Sequence, residues 1–176
     1  ITTLEPTQVT TFSGAVSEDI FGSIGLTKAG RGELRLTAAA TYSGTTTLNT
    51  DGGTLTLAGN GTALNSPSLV VGQNATLQLD NSGTPLNDRL NDVATMTLSG
   101  GRLLVKGNNG GSAVENVGTL AVGANLSSVV ELDLNGATEN RVTFNALPAP
   151  AATTTLHLVG TNGDLTRTGP GNRLSF

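Results

Sequence analysis

Acid pairs are the residues in this chain best suited to chemistry. Hydrolysis of a glycosidic bond needs two carboxyl groups on one face, one as acid and the other as base or nucleophile. Thirteen Asp and Glu supply the candidates. Asp80, Asp88 and Asp92 form one group, and Glu131 with Asp133 forms another. Glu131 and Asp133 are two residues apart, so on a strand they share its outward face. The plainer reading is that they only solvate that face. A polysaccharide lyase of this kind would also cluster Lys or Arg with acids around calcium, and no such cluster is present. Calcium has two conceivable loops, Asp88-Arg-Leu-Asn-Asp92 and Asp80-Asn81, but the calcium-binding Gly-Gly-x-Gly-x-Asp repeat is missing. Both segments read as loops solvated by their acids.

The other reactive types stand alone. His157 is the single histidine and lies between Leu156 and Leu158, so on a strand it faces away from both. Triads and His-based metal sites need partners, and there is no cysteine to supply a nucleophile, a thiolate ligand or a disulfide. Gly107-Asn-Asn-Gly-Gly111 and Gly169-Pro-Gly171 are glycine-rich, but neither sits between a strand and a helix with a following Lys. A phosphate cradle needs that context, so they read as turns. Arg167, Arg173 and Lys106 are isolated and are expected on solvated faces. Tyr42, beside Thr41, is expected to pack its ring against the fold, with a sugar-stacking platform as the functional alternative. The sequence therefore predicts no catalytic, cofactor or metal site, and a protein that is not an enzyme.

Composition narrows the rest. Of 176 residues, 36% are apolar, only 3% are aromatic and 12% are charged, so the core must be built from Leu, Val, Ile and Ala. Gly, Thr, Asn and Ser make up most of the remainder, a mixture of strand formers and turn formers. The formal charge of -4 and the scattered Lys and Arg argue against a phosphate-backbone partner. No run of 18 apolar residues exists, so no segment reads as a membrane-spanning helix. Ile1-Thr2-Thr3-Leu4 carries no signal-peptide pattern, which implies a removed signal or a segment of a longer chain.

The elements that must position these residues announce themselves as a repeat. Apolar-x-apolar triplets recur at Leu34-Arg-Leu36, Leu55-Thr-Leu57, Leu77-Gln-Leu79, Met96-Thr-Leu98, Leu120-Ala-Val122, Val142-Thr-Phe144 and Leu156-His-Leu158. Aligning Leu34, Leu55, Leu77, Leu98, Leu120 and Val142 gives intervals of 21, 22, 21, 22 and 22 residues. Counting back 22 from Leu34 reaches Phe12, and the register is expected to shift near Leu147-Pro-Ala-Pro150. A second series runs between, with Thr46-Thr-Leu48, Leu69-Val-Val71, Leu103-Leu-Val105 and Val130-Glu-Leu132. Period-2 alternation marks half-buried strands, and Gly or Asn flanks nearly every one. The best helical stretch, Asp88 to Met96, is short.

Short strands at a fixed period without helices exclude a propeller, with about 40 residues per blade, and leucine-rich repeats, with their own consensus. A sandwich or barrel shares the short strands but has no reason to keep a period. The sequence predicts an all-β, right-handed, single-stranded parallel β-helix of about eight coils, each of roughly 21–22 residues. At about 4.8 Å per coil it would be a rod near 40 Å long. It is read as one domain over 1–176. Residues 1–11 form an extended N-terminal segment, 12–146 regular coils and 147–176 less regular ones.

The first third carries a more specific pattern. It reads Phe12-Ser-Gly-Ala-Val16, Gly25-Leu-Thr-Lys-Ala-Gly-Arg-Gly-Glu-Leu-Arg-Leu-Thr37, Thr41-Tyr-Ser-Gly-Thr-Thr-Thr-Leu48 and Gly53-Thr-Leu-Thr-Leu57. This resembles the autotransporter-associated β-strand repeat of bacterial passenger domains. Glu33 stands where the family commonly has Thr, and Ala40 where it has Asn. The stretch from Asp88 to Leu104 is more loosely similar to continuing repeats of long bacterial surface proteins. The resemblance implies a right-handed β-helix on an exported, extracellular or cell-surface bacterial protein, and no single activity.

Three functions follow as expectations. The first is a structural or adhesive module, a rigid stalk whose Thr, Asn and Ser faces contact surface glycans or matrix proteins. The second is a subunit of a head-to-tail extracellular filament, with neighbouring copies or adjacent repeats as partners. There the segment Ile1-Thr-Thr-Leu-Glu-Pro6 would be donated as a strand. The third and least favoured is a carbohydrate-active enzyme using Glu131 and Asp133.

Overall fold

The computed structural model describes residues 7–19, 22–166 and 171–176. In chain order the strands are β1 (Val9–Phe12), β2 (Leu26–Lys28), β3 (Glu33–Leu36), β4 (Thr46–Leu48) and β5 (Thr54–Ala58). There follow β6 (Ser68–Val71), β7 (Thr76–Asp80), β8 (Thr95–Leu98), β9 (Arg102–Lys106) and β10 (Ser112–Val122). The last are β11 (Ser127–Asp133), β12 (Glu139–Ala146), β13 (Thr155–Thr161), β14 (Leu165–Thr166) and β15 (Gly171–Ser175). Odd-numbered strands β1 to β13 form one seven-stranded sheet, and the even-numbered strands with β15 form an eight-stranded one. Every pairing is parallel. Strands alternate between the sheets along the chain, so each pair is one coil of a parallel β-helix. Among the described residues there is no helix, and Asp88 to Met96 runs through turns into β8.

Like residues stack on like inside the coils. In the first sheet Leu34, Leu55, Leu77, Leu103 and Val130 pair in succession, as do Leu36, Leu57, Leu79, Val105 and Leu132. All ten are 0–1% exposed. In the second sheet Leu69, Met96 and Leu120 form one column, and Leu48, Val71, Leu98 and Val122 another. Leu and Val make up these columns, with Tyr42 and Phe144 as large rings of the core.

The coils are not of one length. Glu33 pairs with Thr54 and Thr54 with Thr76, steps of 21 and 22 residues. Thr76 then pairs with Arg102, Arg102 with Val129 and Ser127 with Thr155, steps of 26, 27 and 28. The near-constant interval beyond Leu77 crosses to the other sheet at Leu98, and from there it does not join register partners, since Leu98 pairs with Val122 and Val142 with Glu115. Leu77 lies over Leu103, whereas Leu98, Leu120 and Val142 belong to the second sheet. At the other end Leu34 lies over Thr10, and Phe12 over Leu36.

The physical reason lies in the connections. The first five passages from the second sheet into the first are tight, at 29–32, 49–53, 72–75, 99–101 and 123–126, whereas the last, 147–154, is longer. Each of these five carries a residue with positive φ, in turn Gly30, Asp51, Asn74, Gly100 and Asn125. That one conformation repeats the same corner and keeps successive coils in register. The return passages are free to grow. They cross a third face, which begins as isolated bridges, Ala39 to Thr62 and Ala63 to Leu90. Farther along it becomes a true ladder, where Ser112–Val117 pairs with Glu139–Phe144.

Two outcomes test this packing. Leu77→Ala removes a column member sealed on all sides and is expected to cost about 2–5 kcal/mol in a urea titration. Gly53 has φ +65°, and a Cβ there would lie 2.3 Å from the Gly32 carbonyl oxygen. Gly53→Ala is therefore expected to destabilise by about 1–3 kcal/mol in the same titration.

Candidate functional site

The sequence-predicted acids do not converge. Asp80 pairs with Arg35 at 2.7 Å and accepts from Ser82 N and Oγ at 3.1 and 2.6 Å. Burial pushes its carboxyl up, but the hydrogen bonds from Ser82 and Arg35 outweigh this and hold it below the usual range. Asp88 accepts from the Asn116 amide at 2.9 Å, and Asp92 is exposed. Glu131 and Asp133 do share the outward face of β11, as expected from alternation. Glu131 is tied to Arg102 and accepts from Thr161 Oγ1 at 2.8 Å. Asp133 accepts from Asn135 N at 3.0 Å and Asn162 Nδ2 at 2.8 Å. Both acids thus bind coil to coil.

The remaining candidates are likewise structural or solvated. His157 is exposed on β13, opposite to half-buried Leu156. Tyr42 is 1% exposed with its hydroxyl 2.7 Å from Thr46 Oγ1, so its ring packs and offers no stacking platform. Gly107–Gly111 is a turn, and Gly171 opens β15. Arg173 is not isolated: its guanidinium meets Glu139 at 2.9 Å, because β12 and β15 stack the two residues within reach. Lys106 is half-buried on the outward face of β9. Arg167, Gly169, Pro170 and the segment Ile1 to Pro6 lie outside the described residues. Among the described residues no group of three or more His, Cys, Asp or Glu could hold a metal.

Three buried charges were not legible in the sequence. Lys28 faces inward at the head of the Leu48 column, fully buried, and Nζ donates to the carbonyls of Ala29, Gly30 and Gly52 at 3.0, 2.6 and 2.7 Å. Burial lowers its pKa. Arg89 is also fully buried. Its guanidinium donates to Asn81 Oδ1 at 3.0 Å and to the carbonyls of Gly59, Gly61, Asp80 and Thr84 at 2.8–3.2 Å. The Asp88–Asp92 loop thus supplies a cation, which takes the Asn81 side-chain oxygen and the Asp80 carbonyl. Glu115, 2% exposed, accepts from Arg89 N and Leu90 N at 2.8 and 2.9 Å. Its desolvation raises its pKa to about 8 against the pull of those two donors. Strand alternation could have pointed to Lys28 and Glu115, since each sits at an inward position of its triplet.

The two outer faces differ in chemistry. The first sheet carries Glu33, Arg35, Arg102, Lys106, Glu131 and Asp133 outward. On the second sheet the outward column Thr27, Thr47, Val70, Thr97 and Ala121 is uncharged throughout. So is its neighbour of Ser68, Thr95, Thr119 and Ala146. Parallel register sets these side chains in a grid, about 4.8 Å between coils and about 6.6 Å along a strand.

No family model matches the chain, and neither a curated protein nor a solved structure matches it. Its function is therefore argued from the geometry above.

Removing charge separates the two kinds of site. Arg89→Ala strands several buried acceptors and is expected to cost about 3–5 kcal/mol. Arg102→Ala breaks a half-exposed pair and is expected to cost less than about 1 kcal/mol. Denaturant titration of both variants measures the contrast.

Proposed function

We propose that the chain is a structural or adhesive module of a bacterial extracellular or cell-surface protein, a rigid repetitive stalk. The observation that carries this reading is the unbroken stacking of inner Leu and Val columns beneath an uncharged outer grid. A coil cannot bury its apolar face alone, so stability is shared between neighbours and the stack resists bending. The grid of Thr, Ser, Val and Ala on the second sheet is the contact surface. Its hydroxyls and methyls make many weak contacts over a flat area, and charge does not repel a neutral glycan or protein from it. Glu131 and Asp133 of the first sheet serve as coil-to-coil ties. The resemblance of the first third to autotransporter-associated repeats agrees with export to the cell surface.

A second reading, a subunit of a head-to-tail filament, is favoured by one observation. The outer edges of β1 and β13 have no strand partner among the described residues. Leu158 continues the Val130 column there and is 43% exposed. A parallel edge of this kind accepts a further strand, and head-to-tail addition makes open filaments.

One set of measurements serves both. Immobilised glycans and matrix proteins are expected to capture the wild-type chain, and Thr47→Asp with Thr97→Asp to lose that capture while keeping its melting temperature within a few degrees. Capture unaffected by the two charges would remove the adhesive surface from the second sheet. Concentration-dependent growth of rods in electron micrographs, slowed by Leu158→Asp, would favour the filament instead.

A further inference from the structure

Outward arginines of the first sheet are matched to acids. Arg35 meets Asp80 at 2.7 Å and Glu33 at 3.5 Å, and Arg102 meets Glu131. On the third face the balance differs. There β12 and β15 set Arg141 beside Arg173 in direct register, both pointing outward. Like charges opposite each other on neighbouring strands repel. One carboxylate serves both: a Glu139 oxygen lies 2.9 Å from an Arg173 Nη and 3.6 Å from Arg141 Nε. The longer distance is beyond a hydrogen bond, and Arg141 Nε is sealed from solvent with no hydrogen-bond partner. Among the described residues no other acid comes within ion-pair reach of either guanidinium. Two cations thus share one anion, and the cluster keeps a surplus positive charge on a chain whose formal charge is -4. The two side chains are still 33% and 25% exposed.

The surroundings of the pair are uncharged. Next along the same strands Thr143 and Ser175 pair in register and also face outward. Their hydroxyls add groups that both donate and accept. Gly171 stands in register with Glu139 and has no side chain to cover that carboxylate. In the preceding coil Val114 and Asn116 lie in register with Arg141 and Thr143. The arginines and hydroxyls therefore occupy four corners of a patch, about 4.8 Å between strands and about 6.6 Å along them.

We propose that Arg141, Arg173, Thr143 and Ser175 form a binding site for an acidic glycan, with one sugar carboxylate on the two guanidiniums and sugar hydroxyls on Thr143 and Ser175. A guanidinium presents paired N–H donors that match the two oxygens of a carboxylate. A single such group neutralises the surplus charge and relieves the repulsion between the arginines. Hydroxyls rather than further cations adjoin the pair, which suits a sugar. A nucleic acid would need a row of cations against successive phosphates. The site lies on β12 beyond the uncharged columns, so it adds a charged contact to the proposed adhesive surface without depending on them. Glu139 competes for the same donors and sets how strongly an incoming carboxylate must bind.

The whole chain is titrated with a trimer of galacturonic acid and with its methyl ester, which keeps the sugar and removes the charge. The free acid is expected to bind about tenfold or more tightly than the ester and to weaken with added salt. Its binding is expected to shift the Arg141 and Arg173 Nε–H signals in NMR spectra. Arg141→Gln with Arg173→Gln is expected to abolish the preference for the acid. Glu139→Gln is expected to strengthen binding severalfold, because it removes the competing carboxylate. Equal affinity for acid and ester, arginine signals that stay still, or no gain in Glu139→Gln would overturn the proposal. So would tighter binding of inorganic phosphate or of single-stranded DNA, which would mark a phosphate site instead. The wild-type arginine signals decide the question even if a variant fails to fold. Capture by the uncharged columns is tested separately through Thr47 and Thr97, so either reading can fail without the other.

Discussion

Every coil must return the chain to the same three faces, one strand spacing farther along. That closure condition governs the molecule. It is met by a corner conformation used at the first five passages from the second sheet into the first, where Gly30, Asp51, Asn74, Gly100 and Asn125 all take positive φ. With the corner constant, residues two coils apart stand in line. The inner columns of Leu and Val then bury one another, and few large rings, Tyr42 and Phe144, join them in the core. The return path carries no such restriction. Its loops lengthen from 37–45 to 81–94, and the third face widens from bridges into a ladder.

The buried charges belong to the same logic. A column of like residues needs a first member, and that position lacks an identical neighbour on one side. Lys28 heads one column and Glu115 another, each turned toward backbone groups that the ladder leaves over. Arg89 fills the gap opened by the longer loop at 81–88, satisfying carbonyls that no strand reaches. These side chains act as plugs where the repeat begins or changes length. Buried ions of this kind contribute little net stability compared with an apolar residue of equal fit, but they tie one arrangement of the loops together.

The outer surface divides the remaining work. Ion pairs run across the first sheet, from Arg35 over Thr56 to Asp80 and from Arg102 to Glu131, each spanning coils. The second sheet is free of charge along its two outward columns, because strand alternation there places Thr, Ser, Val and Ala outside. Farther along the same sheet Glu139, Arg141 and Arg173 form ion pairs, so the uncharged area is the patch of these two columns. This division supports the proposed adhesive role more directly than any single residue does.

The sequence by itself determined the strands, their parallel stacking and the outward placement of Glu131, Asp133 and His157. Period-2 alternation and Gly or Asn at each corner are local signals, set by side-chain sterics and φ preference, and they survive without knowing what packs where. Only the tertiary structure decided which triplets lie over which. Leu77 and Leu98 are both correct strand residues, and a one-dimensional interval cannot tell that they face different sheets. It also decided the fate of Asp80 and Arg89. Whether a charged side chain meets water or is sealed in depends on loop lengths summed over neighbouring coils, a non-local quantity that no motif encodes.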